Sequence, residues 1–417
     1  MKIAIIGTGI SGLTAAWQLH REHDLMVFEA NDYIGGHTHT VDVEVGGRSH
    51  AVDTGFIVFN DWTYPNFIDL LEQLGVASQP TLMSFSVRCE RTGLEYNGEN
   101  LNTLFAQRRN LFRPSFHRMI RDILRFNREA LALLDDHRDL SLEAWLREGN
   151  YSREFSEYYI LPMAAAIWSA EPGLMGAMPA QFFVRFFKNH GLLSVNDRPQ
   201  WRVIRGGSRA YVEPLIAPFR DRIRLNCPVE WVRRHPTHVQ VKPWGGPVER
   251  FDEVIIATHS DQALRLLADP TPRERQILGA IPYQENEVVL HTDTRLLPRR
   301  QRAWAAWNYH LPAQPRDRVA VTYNMNILQS LDAPETFCVT LNRSDVIDPA
   351  RILYRTTYHH PVFTEAGVRA QACRDEISGV NRTWYCGAYW SYGFHEDGVN
   401  SGLAVTRGLL ESSRMAA

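Results

Sequence analysis

The sequence predicts an α/β fold in which a Rossmann-like, parallel-sheet domain is interleaved with an α+β domain. Three observations predict it. The run KIAII at residues 2–6 leads into G-T-G-I-S-G at 7–12 and then into the helical spacing of Leu13, Ala16, Trp17 and Leu19; a buried strand, a glycine turn and a helix in that order open a βαβ unit. Glycine pairs and strand-like apolar runs return at Gly35-Gly36, at Gly206-Gly207, at 254–258 and at 384–402, so this domain is assembled from separated stretches. Between them the pattern changes: 60–200 is mainly helical apart from a hairpin at 85–96 turning at Thr92-Gly93, and 285–360 reads as strands such as 288–290 and 319–321. The division expected is 1–60, 201–284 and 361–417 for the first domain, and 61–200 with 285–360 for the second, with no internal repeat and no low-complexity linker.

Composition narrows the function classes. A chain of 417 residues can bury two intimately packed domains, and 44% hydrophobic with 22% charged residues is an ordinary globular balance. A net charge of −2 supplies no global positive field, so no nucleic-acid partner is expected. Cys89, Cys227, Cys338, Cys373 and Cys386 are odd in number and scattered, with no C-x-x-C pair. That is neither a disulfide framework nor a metal site, and it suits a reducing cytoplasm. The first apolar run is too short for a signal peptide, and no stretch approaches the roughly 18 apolar residues of a membrane span. The expectation is a cytoplasmic protein, at most peripheral to a membrane.

The opening unit is a nucleotide site in physical terms. Gly7 permits the tight turn, Gly9 lets a pyrophosphate approach the backbone, and Gly12 lets helix and strand pack closely. Ile10 and Ser11 begin the helix, whose free amides and positive dipole end face phosphates. The second strand, 25–28, ends in Glu29, an acceptor for the adenosine ribose hydroxyls, followed by Ala30. An acid there disfavours the 2′-phosphate of NADP. NAD and FAD both satisfy this much. The second glycine pair, Gly35-Gly36, followed by His37 and Thr38, brings the backbone to the dinucleotide again, and Asp53-Thr54-Gly55-Phe56 lies downstream. A long, buried FAD requires that second approach.

This layout, completed by a glycine-rich carboxy-terminal segment, resembles the flavin amine oxidase and phytoene desaturase superfamily, and the resemblance spans essentially the whole chain. It implies an amine oxidase-like two-domain fold and non-covalent FAD. His37 stands where that family often has arginine. The segment E-D-G-V-N-S-G at 396–402 resembles the family's flavin loop, which implies that Gly387, Glu396, Asp397, Gly398 and Val399 lie near the flavin and that Ser401 and Gly402 begin a helix. W-R-V-I-R-G-G-S-R at 201–209 resembles the middle glycine motif, Asn226-Cys227-Pro228-Val229 the strand facing adenine, and V-I-I-A-T, ending at Thr258, a strand returning to the nucleotide domain.

The subset most similar is that of predicted NAD/FAD-binding flavoproteins, which also resemble the amino-terminal region of plant cyclopropane-fatty-acid synthases. The shared stretches are D-T-G-F-I-V-F-N at 53–60 with Tyr64, Pro65 and Asn66, L-P-M-A-A-A-I-W-S at 161–169, H-H-P-V-F at 359–363 and Y-G-F-H-E-D-G at 392–398. This implies an FAD-dependent oxidoreductase acting on a lipid acyl chain or similar apolar substrate by desaturation, saturation or double-bond isomerisation. Two alternatives stand beside it. A flavin amine oxidase acting on a small amine commonly carries a lysine near the flavin, and this chain has none after Lys242. A non-catalytic binding protein on the same fold, as in GDP-dissociation inhibitors, has no need of intact phosphate glycines.

Residues 105–128 interleave seven arginines with Phe105, Leu111, Phe112, Phe116, Met119, Ile120, Ile123 and Phe126 against a single acid, Asp122. Such a stretch can lie on anionic lipid, and it can equally be a packing helix with a solvated arginine face. For acid–base work His359 and His360 are the expected residues, with His395 a further candidate at the flavin segment. Each can also be a hydrogen-bonded structural group. Trp168 is a candidate wall of the substrate tunnel, or plain core.

Overall fold

The computed structural model describes residues 1–136, 138–314 and 316–416, with the side chains of 415 and 416 left aside; the three expected domain ranges that contain His137, Pro315 and Ala417 extend over them, but those residues lie outside the described set. A five-stranded parallel sheet runs in the order Ile223–Arg224, Asp24–Phe28, Lys2–Ile6, Glu253–Ile256 and Thr383–Tyr385. Its strands come from three separated stretches of the chain, within 2–28, 223–256 and 383–385. Ile3, Ala4 and Ile5 are fully buried because both faces of the sheet are covered, as continuous apolar strands require. The helices Ile10–Leu19 and His395–Ala416 lie on the side of Ile3 and Ile5; a three-stranded antiparallel sheet over 229–251, with the helices Ser260–Leu266 and Pro272–Leu278, lies on the side of Ala4. The helices Ile10–Leu19 and His395–Ala416 pack together on one face.

The second sheet has seven strands, in the order Ile352–Pro361, Tyr283–His291, Cys338–Leu341, Val321–Asn324, Trp307–Leu311, Phe85–Cys89 and Leu94–Asn97. The hairpin at 85–97 joins strands more than 200 residues later through parallel pairing of Trp307–Leu311 with Phe85–Cys89. The sheet takes in Tyr283 and Gln284 as well as 285–291, because the strand pairs from Tyr283↔Pro361 onward. Helices between 101 and 189 cover the sheet around a core that includes Phe116, Met119, Phe126, Phe155, Phe183 and Phe187. Each such buried side chain contributes about 1.5–3 kcal/mol relative to an exposed one.

Asp53 ties the two halves together. Its carboxylate accepts from Thr40 Oγ1 at 2.6 Å, from Ser208 N and Oγ at 2.8 and 2.9 Å, and from Gln329 Nε2 at 3.0 Å. The hairpin Thr40–Val45/Arg48–Asp53, the Gly206-Gly207 loop and the second domain therefore meet at one fully buried acid. Burial pushes that carboxyl up to about 6.

Candidate functional site

The carboxyl ends of the parallel strands open on a single cavity of about 870 Å³, which is where a doubly wound sheet presents ligand-binding loops. Gly7 follows the first strand, Glu29 the second, Ala257 and Thr258 the fourth and Gly387 the fifth, and all of them line it. Gly7, at φ +106°, is held so close that an added Cβ would lie 2.7 Å from Ala257 O. A Cβ on Gly9 would meet nothing within 4 Å, and one on Gly36 would come 3.1 Å from Gly9 Cα. Two backbone segments thus face each other across an open gap at the start of the helix Ile10–Leu19, the geometry of a phosphate cradle.

At one end of the cavity Glu29 is buried and oriented. It accepts from Thr8 N at 3.0 Å, from the Thr8 hydroxyl and from Asn31 N at 2.9 Å. Ala30, Asn31, Cys227, Pro228 and Val229 complete this end. Above the cradle lies a cluster of histidines from three segments. The His37 ring is 5.8 Å from His259 and 5.6 Å from His360, and His259 is 6.5 Å from His359. Burial holds His37 well below the ordinary imidazole range and takes His259 and His360 down to about 4, with the neighbouring imidazoles adding to the effect at His37 and His360. His37 Nε2 is buried with no hydrogen-bond partner among the described residues.

The other end is a chamber between the seven-stranded sheet and the helix Leu161–Trp168. Ile167, Trp168, Val288, Trp307, Tyr323, Leu341, Phe363 and Tyr392 line it. Trp168 donates Nε1–H to Tyr392 O at 3.1 Å, so it walls the chamber and is also braced by the carboxy-terminal segment. No lysine lines the cavity among the described residues; Lys242 bonds Gly246 O in a surface hairpin. The lining acids, Glu29 and Glu230, sit at the ribose end.

The carboxy-terminal segment departs from expectation. Its helix begins at His395, six residues before Ser401, so 396–402 are helical turns and not a loop. An added Cβ on Gly398 would lie 2.6 Å from Ile10 Cγ2, and one on Gly402 would lie 2.6 Å from Ser11 O. These glycines serve the crossing of two helices. Glu396 instead caps the helix Pro65–Gln73, accepting from Asn66 N at 3.0 Å and Phe67 N at 2.8 Å, while Asp397 accepts from Phe394 N at 2.9 Å. Val399 is core. Gly12 packs against Gly7, and Thr38 bonds Tyr211 OH at 2.6 Å. These five stand behind the wall; Gly387, Ala388, Tyr389, Gly393 and Phe394 reach it instead.

Gly7, Gly9, Ile10, Ser11, Glu29, Ala30, Gly35, Gly36, His37, Gly55, Phe56, Val229, Thr258 and Gly387 line the cavity, as do His359, His360 and His395. His395 is stacked on Phe56 at 3.6 Å and bonded through Nε2 to Tyr211 OH at 2.7 Å; burial takes it down to about 3. It has the environment of a neutral structural group. His259, Tyr358 and Trp307 also line the cavity and were missed. His259 was findable, because it follows the strand end at Thr258.

The family of flavin containing amine oxidoreductases matches this chain over residues 10–325. The chain belongs to that family. This flavoprotein is an FAD-dependent oxidoreductase, and the cradle fits its cofactor: Gly9 and Gly36 leave room for the pyrophosphate and His37 Nε2 lacks a partner. Cys386 is buried off the cavity wall with its thiol pushed up to about 12, and Cys227 lies at the ribose end, in keeping with non-covalent FAD. Among solved structures the flavoprotein is similar to cyclohexylamine oxidase from Brevibacterium oxydans (17% identity, TM-score 0.69, 99% of each chain). It is also similar to a fatty acid isomerase from P. acnes (17% identity, TM-score 0.70, 97% and 98% of the chains). A 74-residue stretch is 45% identical to the 1-hydroxycarotenoid 3,4-desaturase of a Flavobacterium species, covering 18% of this chain and 14% of that enzyme.

Proposed function

We propose that this flavoprotein carries out redox chemistry on a lipid acyl chain or similar apolar substrate, by desaturation, saturation or double-bond isomerisation. The observation that carries the reading is the chamber, whose wall of Ile167, Trp168, Val288, Trp307, Tyr323 and Leu341 has no charged side chain and is continuous with the flavin cradle. A buried ammonium would need a carboxylate or a desolvated aromatic cage. The aromatic faces of Trp307, Tyr323 and Tyr392, with the similarity to cyclohexylamine oxidase, favour the small-amine alternative. The fatty acid isomerase and the carotenoid desaturase, whose names give apolar substrates, support the acyl reading, as does the similarity to flavoproteins resembling plant cyclopropane-fatty-acid synthases. A non-catalytic role is opposed by the intact cradle.

Within this reading 1–60, 201–284 and 361–417 hold FAD, which accepts hydride when bound, and 61–200 with 285–360 hold the substrate. The cavity-lining residues named above bind the cofactor, while His359 and His360 face the reacting groups. The protein is cytoplasmic and has no nucleic-acid partner. Acyl profiles of lipid extracted from cells with and without this gene product test the reading. A changed chain mass or double-bond position is expected, and an identical profile together with turnover of a small amine refutes it.

Peripheral membrane contact through 105–128 is part of the proposal, by a different surface than its pattern suggested and with the neighbouring Leu101 included. Phe116, Met119 and Phe126 of the helix Pro114–Glu129 are core, and Arg118 and Arg125 pair with carboxylates. What stands out to solvent is the tip: Leu101 at 75% and Phe112 at 87% exposure, beside Arg108 and Arg109, with Arg113, Arg121 and Arg128 having no carboxylate partner among the described residues. No described helix is long and apolar enough to cross a membrane. Phe112→Asp is expected to abolish pelleting with anionic vesicles at low salt; wild type that stays in the supernatant refutes the contact.

A further inference from the structure

His360 was expected to do acid–base work, and its surroundings decide which ring nitrogen can take part. Asn286 Nδ2 donates to Ser169 O at 2.8 Å and lies 2.9 Å from His360 Nδ1. The Asn286 amide cannot be turned round, because Asn342 Nδ2 donates to its Oδ1 at 2.7 Å. Asn342 is itself held by two backbone groups: Glu287 N donates to its Oδ1 at 3.0 Å, and its Nδ2 donates to Val319 O at 3.0 Å. Three backbone atoms therefore set the direction of both amides, and a donor faces His360 Nδ1.

The consequence follows from the inventory of imidazole. In the neutral ring one nitrogen donates and the other accepts, and in the cation both donate. With Nδ1 accepting from Asn286, the proton sits on Nε2. Protonating Nδ1 would set two N–H groups against each other inside the fold. Nε2 has no protein partner among the described residues, and the ring lines the cavity 5.6 Å from His37, beside the cradle formed by Gly9 and Gly36. The other groups around it are His259 and His359 as imidazoles, Tyr358 on the same strand, and Gln284 on the paired strand, whose Oε1 accepts from Glu171 N. None of these is a carboxylate that would favour the imidazolium.

We propose that His360 acts as a fixed, neutral Nε2–H donor toward bound FAD and not as a proton acceptor, with Asn286 and Asn342 as the positioning residues that hold its tautomer. A preset donor of this kind strengthens as electron density rises on the acceptor it faces, and it needs no reorganisation during the reaction. Burial of the ring, which takes His360 down to about 4, works in the same direction. The proposal rests on FAD binding and not on the identity of the substrate, so a failure of the acyl-chain reading leaves it standing.

The test uses the FAD-loaded protein labelled with 15N in its histidine rings. The His360 signal, assigned by its loss in His360→Gln, is expected to show a protonated Nε2 and an unprotonated Nδ1 from pH 8 down to about 5. Asn286→Asp is expected to move the proton to Nδ1 and bring His360 into titration within that range. In redox titration, His360→Leu should lower the two-electron reduction equilibrium of the flavin about tenfold, which is about 30 mV. His360→Gln, which keeps an N–H donor, should recover most of that loss. A wild-type His360 that carries its proton on Nδ1, or titrates between pH 5 and 8, overturns the proposal whatever the other variants do. A flavin potential unmoved in a folded His360→Leu protein overturns it as well.

Discussion

Replacing Gly402 with alanine separates two opposed physical effects at the helix crossing that supports the cradle. Gly402 lies within the helix His395–Ala416, where alanine is favoured over glycine by about 1 kcal/mol. Intrinsic propensity alone therefore makes the variant more stable. The packing says otherwise. The new Cβ would lie 2.6 Å from Ser11 O, 3.0 Å from Thr14 Cβ and 3.2 Å from Thr14 Cγ2. Reaching an ordinary contact of 3.4 Å from 2.6 Å means moving the helices apart by roughly 0.8 Å, and the obstructing atom is backbone, which no rotamer change relieves. Overpacking of this kind costs about 1–3 kcal/mol, with a backbone clash toward the upper end. Set against the propensity gain, the net expectation is a loss of about 1–2 kcal/mol. The displaced helix Ile10–Leu19 carries the amides at the cradle, and weakening one hydrogen bond to a charged phosphate is worth about 1.5–3 kcal/mol. FAD affinity should therefore fall about tenfold or more. Urea unfolding of the FAD-free protein measures the first quantity and titration of flavin fluorescence the second. A variant that gains about 1 kcal/mol and binds FAD as wild type does would refute the close crossing.

Two further expectations follow from buried polar groups. Glu29→Gln places an amide N–H against the N–H of Thr8 or of Asn31, and one buried donor left without an acceptor should weaken FAD binding by about 1–3 kcal/mol, read by the same titration. Acid should destabilise the fold: His259 and His360 are held at about 4 and His395 at about 3, below the ordinary 6.5. The unfolded chain then binds more protons than the native one, so stability present above pH 6.5 is lost as the pH falls toward 4, by up to about 1.4 kcal/mol per unit for each group. His395→Gln should flatten that slope in unfolding measured at pH 7.5, 6 and 5. Asp53, raised to about 6, has the opposite sign, its contribution being lost as the pH rises from about 4 to 6, so Asp53→Asn should steepen the slope.

The nucleotide half was legible because its residues act on their own neighbours. Gly7, Gly9 and Glu29 stand in the fold where strand–turn–helix spacing puts them, since the turn, the start of the first helix and the end of the second strand are local events within 30 residues. The E-D-G-V-N-S-G segment was misread for the converse reason. Gly398 and Gly402 look like turn residues in sequence, yet their spacing of four is also that of one face of a helix, and only the presence of Ile10 and Ser11 across that face decides between the two. Once the glycines are packing residues, the helix extends back to His395 and carries Glu396 and Asp397 off the wall.

The same reasoning explains why the site's chemistry was only half visible. Four imidazoles converge from positions 37, 259 and 359–360, and no pattern within a window of sequence joins them. Their shared consequence is collective: burial disfavours a charge on His37, His259 and His360, and at His37 and His360 the neighbouring imidazoles disfavour it further. A histidine met singly suggests a base, whereas a buried group of them around a phosphate cradle favours neutral donors, which add hydrogen bonds to an anionic cofactor without the cost of burying several positive charges. The arginine usual in this family after the glycine pair would be one such buried charge. His37 in its place, held well below the ordinary imidazole range by its burial, adds no such charge beside the uncharged chamber.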